Sequence, residues 1–287
     1  MKPSESEFVP IRGLRYHVRR WKRPGAPKLF LFHGWMDVSA SFQFLVDAFL
    51  KEWDVYAPDW RGYGLTEWGK SDCYWFPDYL ADLEAVLDRF ANGEQANLVG
   101  HSLGGNVVAL YAGIRPERVA KLVNLEGFGL PATRPEQAPK RYRAWLDELS
   151  EGARLKPYRD FDELAQRLRT NNPRLTQARA DFLARQWGRE EGGAVLLRSD
   201  PAHKIINPLL YRYEEVRACW RQVTAPVLWV DASDSDTLKR MKITPEDMAE
   251  RRAAFANLLH VTVEDAGHML HHDQPEAVAH LIEDFLG

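Results

Sequence analysis

Cysteine is nearly absent from this chain, and that scarcity removes two classes of protein at once. Cys73 and Cys219, the only two among 287 residues, give neither a disulfide framework nor a metal-ligand spacing. They read as unpaired thiols of a reducing compartment. An excess of positive charge is missing too. The formal net charge is -3 at pH 7, so no basic field recruits nucleic acid or an anionic membrane. No apolar run approaches the roughly 20 residues of a membrane span. The opening Met1-Lys2-Pro3-Ser4-Glu5-Ser6-Glu7 lacks the apolar centre of a secretory leader. Repeats and low-complexity tracts are also lacking. These absences lead to the expectation of a soluble, cytoplasmic, globular protein whose partner is a small molecule.

What is present is an alternation of strand-like and helix-like segments. Lys28-Leu29-Phe30-Leu31-Phe32 is a continuous apolar run ending at His33-Gly34, as suits a strand buried on both faces. Tyr16–Trp21, Asp54–Ala57, Ala96–Val99, Lys121–Leu125, Val227–Val230 and His260–Val263 read as further strands. Ser41–Leu50, Pro77–Phe90 and Pro275–Leu286 read as helices, the last with a capping box from Asp273 and Glu276. The alternation predicts an α/β fold with a mostly parallel sheet covered by helices. Between about Pro131 and Val223 the rhythm breaks into Arg-, Glu-, Trp- and Tyr-rich sequence that reads as several helices without strands. The chain therefore divides into a core, residues 1–130 and 224–287, and a helical cap, residues 131–223. An insertion there overlies the carboxyl ends of the strands, where ligands bind in open α/β sheets.

Gly100-His101-Ser102-Leu103-Gly104 carries the chemistry. It joins the apolar run Ala96-Asn97-Leu98-Val99 to a helix with Val107, Val108, Leu110, Tyr111 and Ile114 on helical spacing. A strand–turn–helix of this kind exposes a hydroxyl at the top of a sheet. Glycines at both ends allow a turn too tight for side chains. A serine hydroxyl is a poor nucleophile until a neighbouring base takes its proton. His268, after Glu264-Asp265-Ala266-Gly267, is the candidate base. Of the other histidines, His33 and His101 flank motif glycines and shape the site. His271 and His272 could join His268 in a metal site, which the serine makes unnecessary. The Leu103 amide, at a helix N-terminus, is positioned to bind a developing negative charge.

His33-Gly34-Trp35-Met36-Asp37, Asp59-Trp60-Arg61-Gly62-Tyr63-Gly64, the serine elbow and Gly267-His268 arrive in the order of the α/β-hydrolase fold family. The chain resembles that family along nearly its whole core, and within it the cap-bearing esterase and serine-hydrolase-like branch. Dehalogenases and epoxide hydrolases share the core motifs but carry Asp at the elbow, where this chain has Ser102. The resemblance implies the Trp35 amide as second oxyanion donor, and a carboxylate between Ser102 and His268 that orients the imidazole. Relatives often carry Gly-x-x-Ser-Asp after the penultimate strand. Ser235-Asp236 fits that pattern and makes Asp236 the first choice, although Ala232 stands where the glycine would be. Glu126, at a strand end where some haloalkane dehalogenases keep their acid, is the second choice, and Asp234 the third.

The function expected is an esterase forming an acyl-enzyme at Ser102, without cofactor or metal, on an apolar or aromatic small molecule. Carbon–carbon bond hydrolysis and cofactor-free oxygenation of a heteroaromatic ring are the enzymatic alternatives. The Gly34-Trp35 and Asp59-Trp60-Arg61-Gly62 segments resemble such dioxygenases, some of which place their acid near Glu126. A small-molecule receptor on a hydrolase scaffold is the non-enzymatic alternative.

Overall fold

The apolar runs become the strands of one sheet, and their side chains alternate between its two faces. The computed structural model describes residues 1–287. Its strands are β1 (Glu5–Ile11), β2 (Leu14–Trp21), β3 (Lys28–Phe32), β4 (Asp54–Pro58), β5 (Ala96–His101), β6 (Val119–Leu125), β7 (Gly188–Glu191), β8 (Ala194–Leu197), β9 (Val227–Ala232) and β10 (Leu258–Val263). Its helices are α1 (Gln43–Ala48), α2 (Phe76–Phe90), α3 (Leu103–Ile114), α4 (Ala138–Glu151), α5 (Phe161–Asn171), α6 (Gln177–Trp187), α7 (Tyr213–Trp220), α8 (Thr237–Met241), α9 (Pro245–Arg252), α10 (Leu270–Asp273) and α11 (Pro275–Leu286).

Eight strands lie in the order β1-β2-β4-β3-β5-β6-β9-β10. β1 and β2 are antiparallel, β2 pairs antiparallel with β4, and the rest of the sheet is parallel. Leu29 and Leu31 of β3 join Val99, Val123, Leu228 and Val230 in a core under α1 and α11. Phe30 and Phe32 point the other way, into a core with Leu98, Leu122 and Trp229 under α2 and α3. This period-two alternation across a doubly covered sheet explains why the parallel strands read as unbroken apolar runs.

Three local expectations are corrected. β1 supplies an additional edge strand, because Glu5-Ser6-Glu7 exposes polar groups that masked its register with β2. The segment between β6 and β9 is not strandless: β7 and β8 form a hairpin whose turn, Gly192-Gly193, holds φ of 61° and 81°. Glycine pairs favour such turns because both central residues need positive φ. The capping box at α11 does not form. Gln274 precedes that helix without a side-chain cap, and Asp273 accepts instead from the Gly267 amide at 2.9 Å and Asn172 Nδ2 at 2.7 Å. Both bonds tie down the loop that carries His268.

The excursion has its own small core, where Leu164, Leu168, Leu183, Ala184 and Val195 of α5, α6 and β8 close over Phe44. His203 anchors it to the sheet. Its ring stacks between Tyr63 and Tyr74, with centroids 3.7 and 3.9 Å away. Its Nε2 donates to the Arg61 carbonyl at 3.0 Å, which leaves Nδ1 to accept from the Tyr79 hydroxyl at 3.2 Å.

Candidate active site

The strand order brings the carboxyl ends of β3, β5, β6 and β9 side by side, and the functional candidates sit on the loops that leave them. Ser102 sits between β5 and α3 with φ 51° and ψ -112°. A non-glycine residue in such backbone is strained, and strain of this kind persists only where its surroundings impose it. Those surroundings are tight. A Cβ on Gly100 would collide with the Gly104 backbone, and one on Gly104 with the Phe32 carbonyl. The Ser102 amide is fixed by donation to the Leu125 carbonyl at 2.8 Å.

His268 Nε2 lies 3.0 Å from Ser102 Oγ, and its Nδ1 lies 3.1 Å from Glu126 Oε2. Glu126 follows β6 with φ 55°, and its side chain is 1% exposed. The Ala232 amide donates to its Oε1 at 2.8 Å and the Ser235 hydroxyl to its Oε2 at 2.5 Å. The buried carboxylate therefore has donors from three directions, as a buried charge requires.

The expectation that Asp236 meets the imidazole is corrected. Asp236 heads α8, its side chain is 67% exposed, and it pairs with Arg240 at 2.9 Å. Asp234 pairs with Arg174 and also faces outward. Of the Ser235-Asp236 motif it is the serine that reaches the site, and it holds Glu126. The physical reason is local. After Ser235 the chain turns into α8, and Asp236 at its head points outward to Arg240.

The amides of Leu103 and Trp35 donate to no backbone carbonyl. Trp35 is 54% exposed, and its Nε1 donates to the His203 carbonyl at 3.2 Å. His33 holds its loop from below, with Nε2 accepting from the Trp60 amide at 2.9 Å and Nδ1 donating to the Gly34 carbonyl at 2.8 Å. Burial pushes its pKa down to about 4. Arg61 clamps Asp82 through two bonds of 2.5 and 2.6 Å, remote from the reacting groups.

His268, His271 and His272 do not converge on a metal. Both His268 nitrogens face Ser102 and Glu126, and His272 Nε2 lies 2.6 Å from Ser41 Oγ. A different set, Asp37, His101 and His271, places one donor atom each within 4.8 Å of the others, fully buried behind the elbow. A second serine–histidine–acid line also exists. His17 bridges Ser6 Oγ at 2.9 Å and Asp59 Oδ2 at 2.7 Å. Ser6 lies within β1, in regular pairing with β2 and without the tight strand-to-helix turn that presents Ser102. Residue types alone do not make a site.

The cavity above Ser102 is about 360 Å³. Tyr74, Trp75, Phe76, Tyr79, Phe128 and Ile205 supply its apolar walls. The sequence signal for these was the aromatic run Tyr74-Trp75-Phe76 at the start of α2. Trp145, Trp187 and Trp220, the tryptophans of the excursion, are not among the walls, and Trp220 packs in the core against Trp229 and Phe255.

The model of the α/β hydrolase fold matches residues 27–275. The chain belongs to that family. It is 28% identical over 304 residues to the serine hydrolase-like protein of Danio rerio, covering 100% of this chain and 90% of that one. It is 24% identical to serine hydrolase-like protein 2 of Homo sapiens, covering 94% of this chain and 90% of that one. Among solved structures, a thioesterase domain from the curacin biosynthetic pathway superposes with a TM-score of 0.87 at 23% identity, covering 98% and 99% of the two chains. E-2-(acetamidomethylene)succinate hydrolase superposes at 0.78 with 22% identity, covering 99% of each. Both likenesses are of fold. No helix is long and apolar enough to cross a membrane.

Proposed function

We propose that this protein is a serine hydrolase of uncharged esters or thioesters, with Ser102, His268 and Glu126 as its catalytic triad. The observation that carries the reading is the unbroken line from hydroxyl to imidazole to buried carboxylate, with contacts of 3.0 and 3.1 Å. Ser102 Oγ attacks the carbonyl carbon while His268 Nε2 takes its proton. Glu126 holds the ring in the tautomer that keeps Nε2 free to accept, and stabilises the imidazolium that follows. The Leu103 and Trp35 amides form the oxyanion hole, a contribution of about 3 kcal/mol for each well-placed donor. His268 then protonates the leaving alcohol or thiol, and water attacks the acyl-enzyme by the same route in reverse.

The excursion acts as the cap of this site. Through His203, Ile205 and Asn207 it supplies part of the cavity wall. His203 brings no charge there, since burial pushes its pKa down to about 3 and both ring nitrogens are engaged. No Lys or Arg lines the cavity. An apolar or aromatic, uncharged substrate fits those walls. Labelling by a fluorophosphonate probe tests the reading without knowledge of the substrate. Stoichiometric labelling that vanishes in Ser102→Ala supports it, and an unlabelled native protein sinks it.

The place of Glu126 at the end of β6 favours one second reading, cofactor-free oxygenation of a heteroaromatic ring with His268 and Glu126 as the proton-abstracting pair. Oxygen uptake with an N-heteroaromatic phenol that survives Ser102→Ala would support that reading over hydrolysis.

A further inference from the structure

We propose that a small cavity at the junction of core and cap binds a dianionic phosphate group, free or as a phosphomonoester. The cavity is about 180 Å³ and lies apart from Ser102. Arg19 of β2, Arg185 and Gln186 of α6, Arg198 after β8, and Ser39 and Asp59 of the core line it.

The case starts from charge. None of the three arginines has a carboxylate partner of its own. Arg19 donates to Ser4 Oγ at 2.9 Å and Gln186 Oε1 at 3.0 Å. Arg198 Nε donates to the Gly188 carbonyl at 3.0 Å, and the Arg185 guanidinium lies over the Phe161 ring at 5.4 Å. The one acid in the wall, Asp59, is already committed to His17, the Ser39 amide and the Leu65 amide. Three guanidinium groups against one carboxylate leave two positive charges uncompensated, and a dianion balances them.

Hydrogen bonding points the same way. Arg19 Nε is buried with no protein partner, and so is Ser39 Oγ, whose residue is 1% exposed. Buried donors are satisfied in nearly all folded proteins. These two lie closed off just behind the cavity wall, and an acceptor in the cavity reaches them through a small shift of the Arg19 and Ser39 side chains. Burial also lowers the Arg19 and Arg198 pKa, an effect that the charge of Asp59 opposes. Planar guanidinium forks match the oxygens of phosphate better than any other common cation. The volume is ample for a phosphate group with an ester substituent or its water beside it.

The site joins separate parts of the chain. Arg19 belongs to the sheet, Arg185 and Arg198 to the cap, and Ser39 to the turn that follows the Trp35 loop. A bound phosphate would hold cap to core and stiffen the segment next to the proposed oxyanion hole.

Titration of the full chain with inorganic phosphate at constant ionic strength, followed calorimetrically, tests this. One site per chain is expected, with Kd of about 1 mM or tighter. Arg19→Gln and Arg185→Gln should each weaken it about tenfold or more. A parallel titration with glycerol phosphate separates the two sources: tighter binding than phosphate identifies a phosphomonoester, equal binding the free ion. Circular dichroism verifies folding, and Arg185→Gln, on the cap surface, carries the test where Arg19→Gln fails to fold. Absence of saturable binding, or variants that bind as tightly as the parent, overturns the proposal.

Discussion

Glu126 and His268 meet at 3.1 Å through Oε2 and Nδ1, although 142 residues separate them in sequence. The contact depends on a non-glycine residue held at φ 55° directly after β6. That turn points the carboxylate back across the sheet, towards the elbow. Asp236, two-thirds exposed and paired with Arg240, has no such path.

This relationship gives the first prediction. Glu126→Gln keeps the shape of the residue but replaces the acceptor facing His268 Nδ1. kcat for an ester should fall by about 10³–10⁴-fold, as when a triad carboxylate is neutralised. Asp236→Asn should stay within about twofold of the parent, since an exposed i,i+4 pair contributes little. Steady-state kinetics of both variants on one ester decides between the two acids. The opposite ranking would return the role to Asp236.

The same pair shows where sequence reading reached and where it stopped. Ser102 and His268 were legible because each sits in a short local pattern whose geometry is set by neighbouring glycines. The carboxylate facing His268 was not, because that depends on how the loop after β9 turns into α8. Ser235-Asp236 satisfied the local pattern, yet α8 carries Asp236 outward and only Ser235 reaches Glu126. The sheet was legible from apolar runs such as Leu29–Phe32, buried on both faces. The β7–β8 hairpin was not, because Gly188-Arg189-Glu190-Glu191 has no apolar alternation and is half solvated. The cavity walls were hidden for a related reason. Tyr74, Trp75 and Phe76 look like the start of a core helix, and only the path of the chain around His203 turns them towards Ser102.

A second prediction concerns the elbow itself. Gly104→Ala places a methyl group on the Phe32 carbonyl oxygen, a backbone atom that cannot rotate away. Overpacking of this kind costs about 3 kcal/mol. Thermal unfolding followed by circular dichroism should show a midpoint several degrees lower, and labelling of Ser102 should drop with it. A midpoint equal to the parent's would mean that the turn is looser than its contacts imply.

Acid should destabilise the protein well above the range of ordinary carboxylates. Burial holds His33 at about 4, and His203 and His272 at about 3, against about 6.5 for an unfolded chain. Between those values the unfolded state binds more protons, so stability rises with pH. It is complete above pH 6.5 and is lost as pH falls through that window. Asp37 works in the opposite sense. Burial raises it to about 7, so the folded state holds its proton and that contribution fades as pH rises from about 4 towards 7. Burial pushes His101 and His271 down as well, so five histidines against one carboxyl leave a net loss on acidification. Unfolding midpoints measured from pH 7 to pH 4 should fall steadily, and His272→Gln should flatten the slope. A flat profile would contradict the burial of these rings.

Substrate charge provides the last prediction. Glu126 is the only charged side chain lining the 360 Å³ cavity, and its oxygens already face His268, Ala232 and Ser235. An ester carrying a carboxylate would have to shed its water without gaining a partner, a penalty that neutral butyl or benzoyl esters escape. The native protein should therefore turn over the neutral esters with much the higher kcat/KM. Met241 lines the same cavity on α8 and is only partly buried, so a longer cation there has room to reach inward. Met241→Arg should raise the kcat/KM of a succinyl monoester relative to the butyl ester by about tenfold, equivalent to about 1.4 kcal/mol of transition-state stabilisation. A native preference for the charged ester would place a cation near the acyl group that the cavity does not contain, and would show that substrate enters by another route.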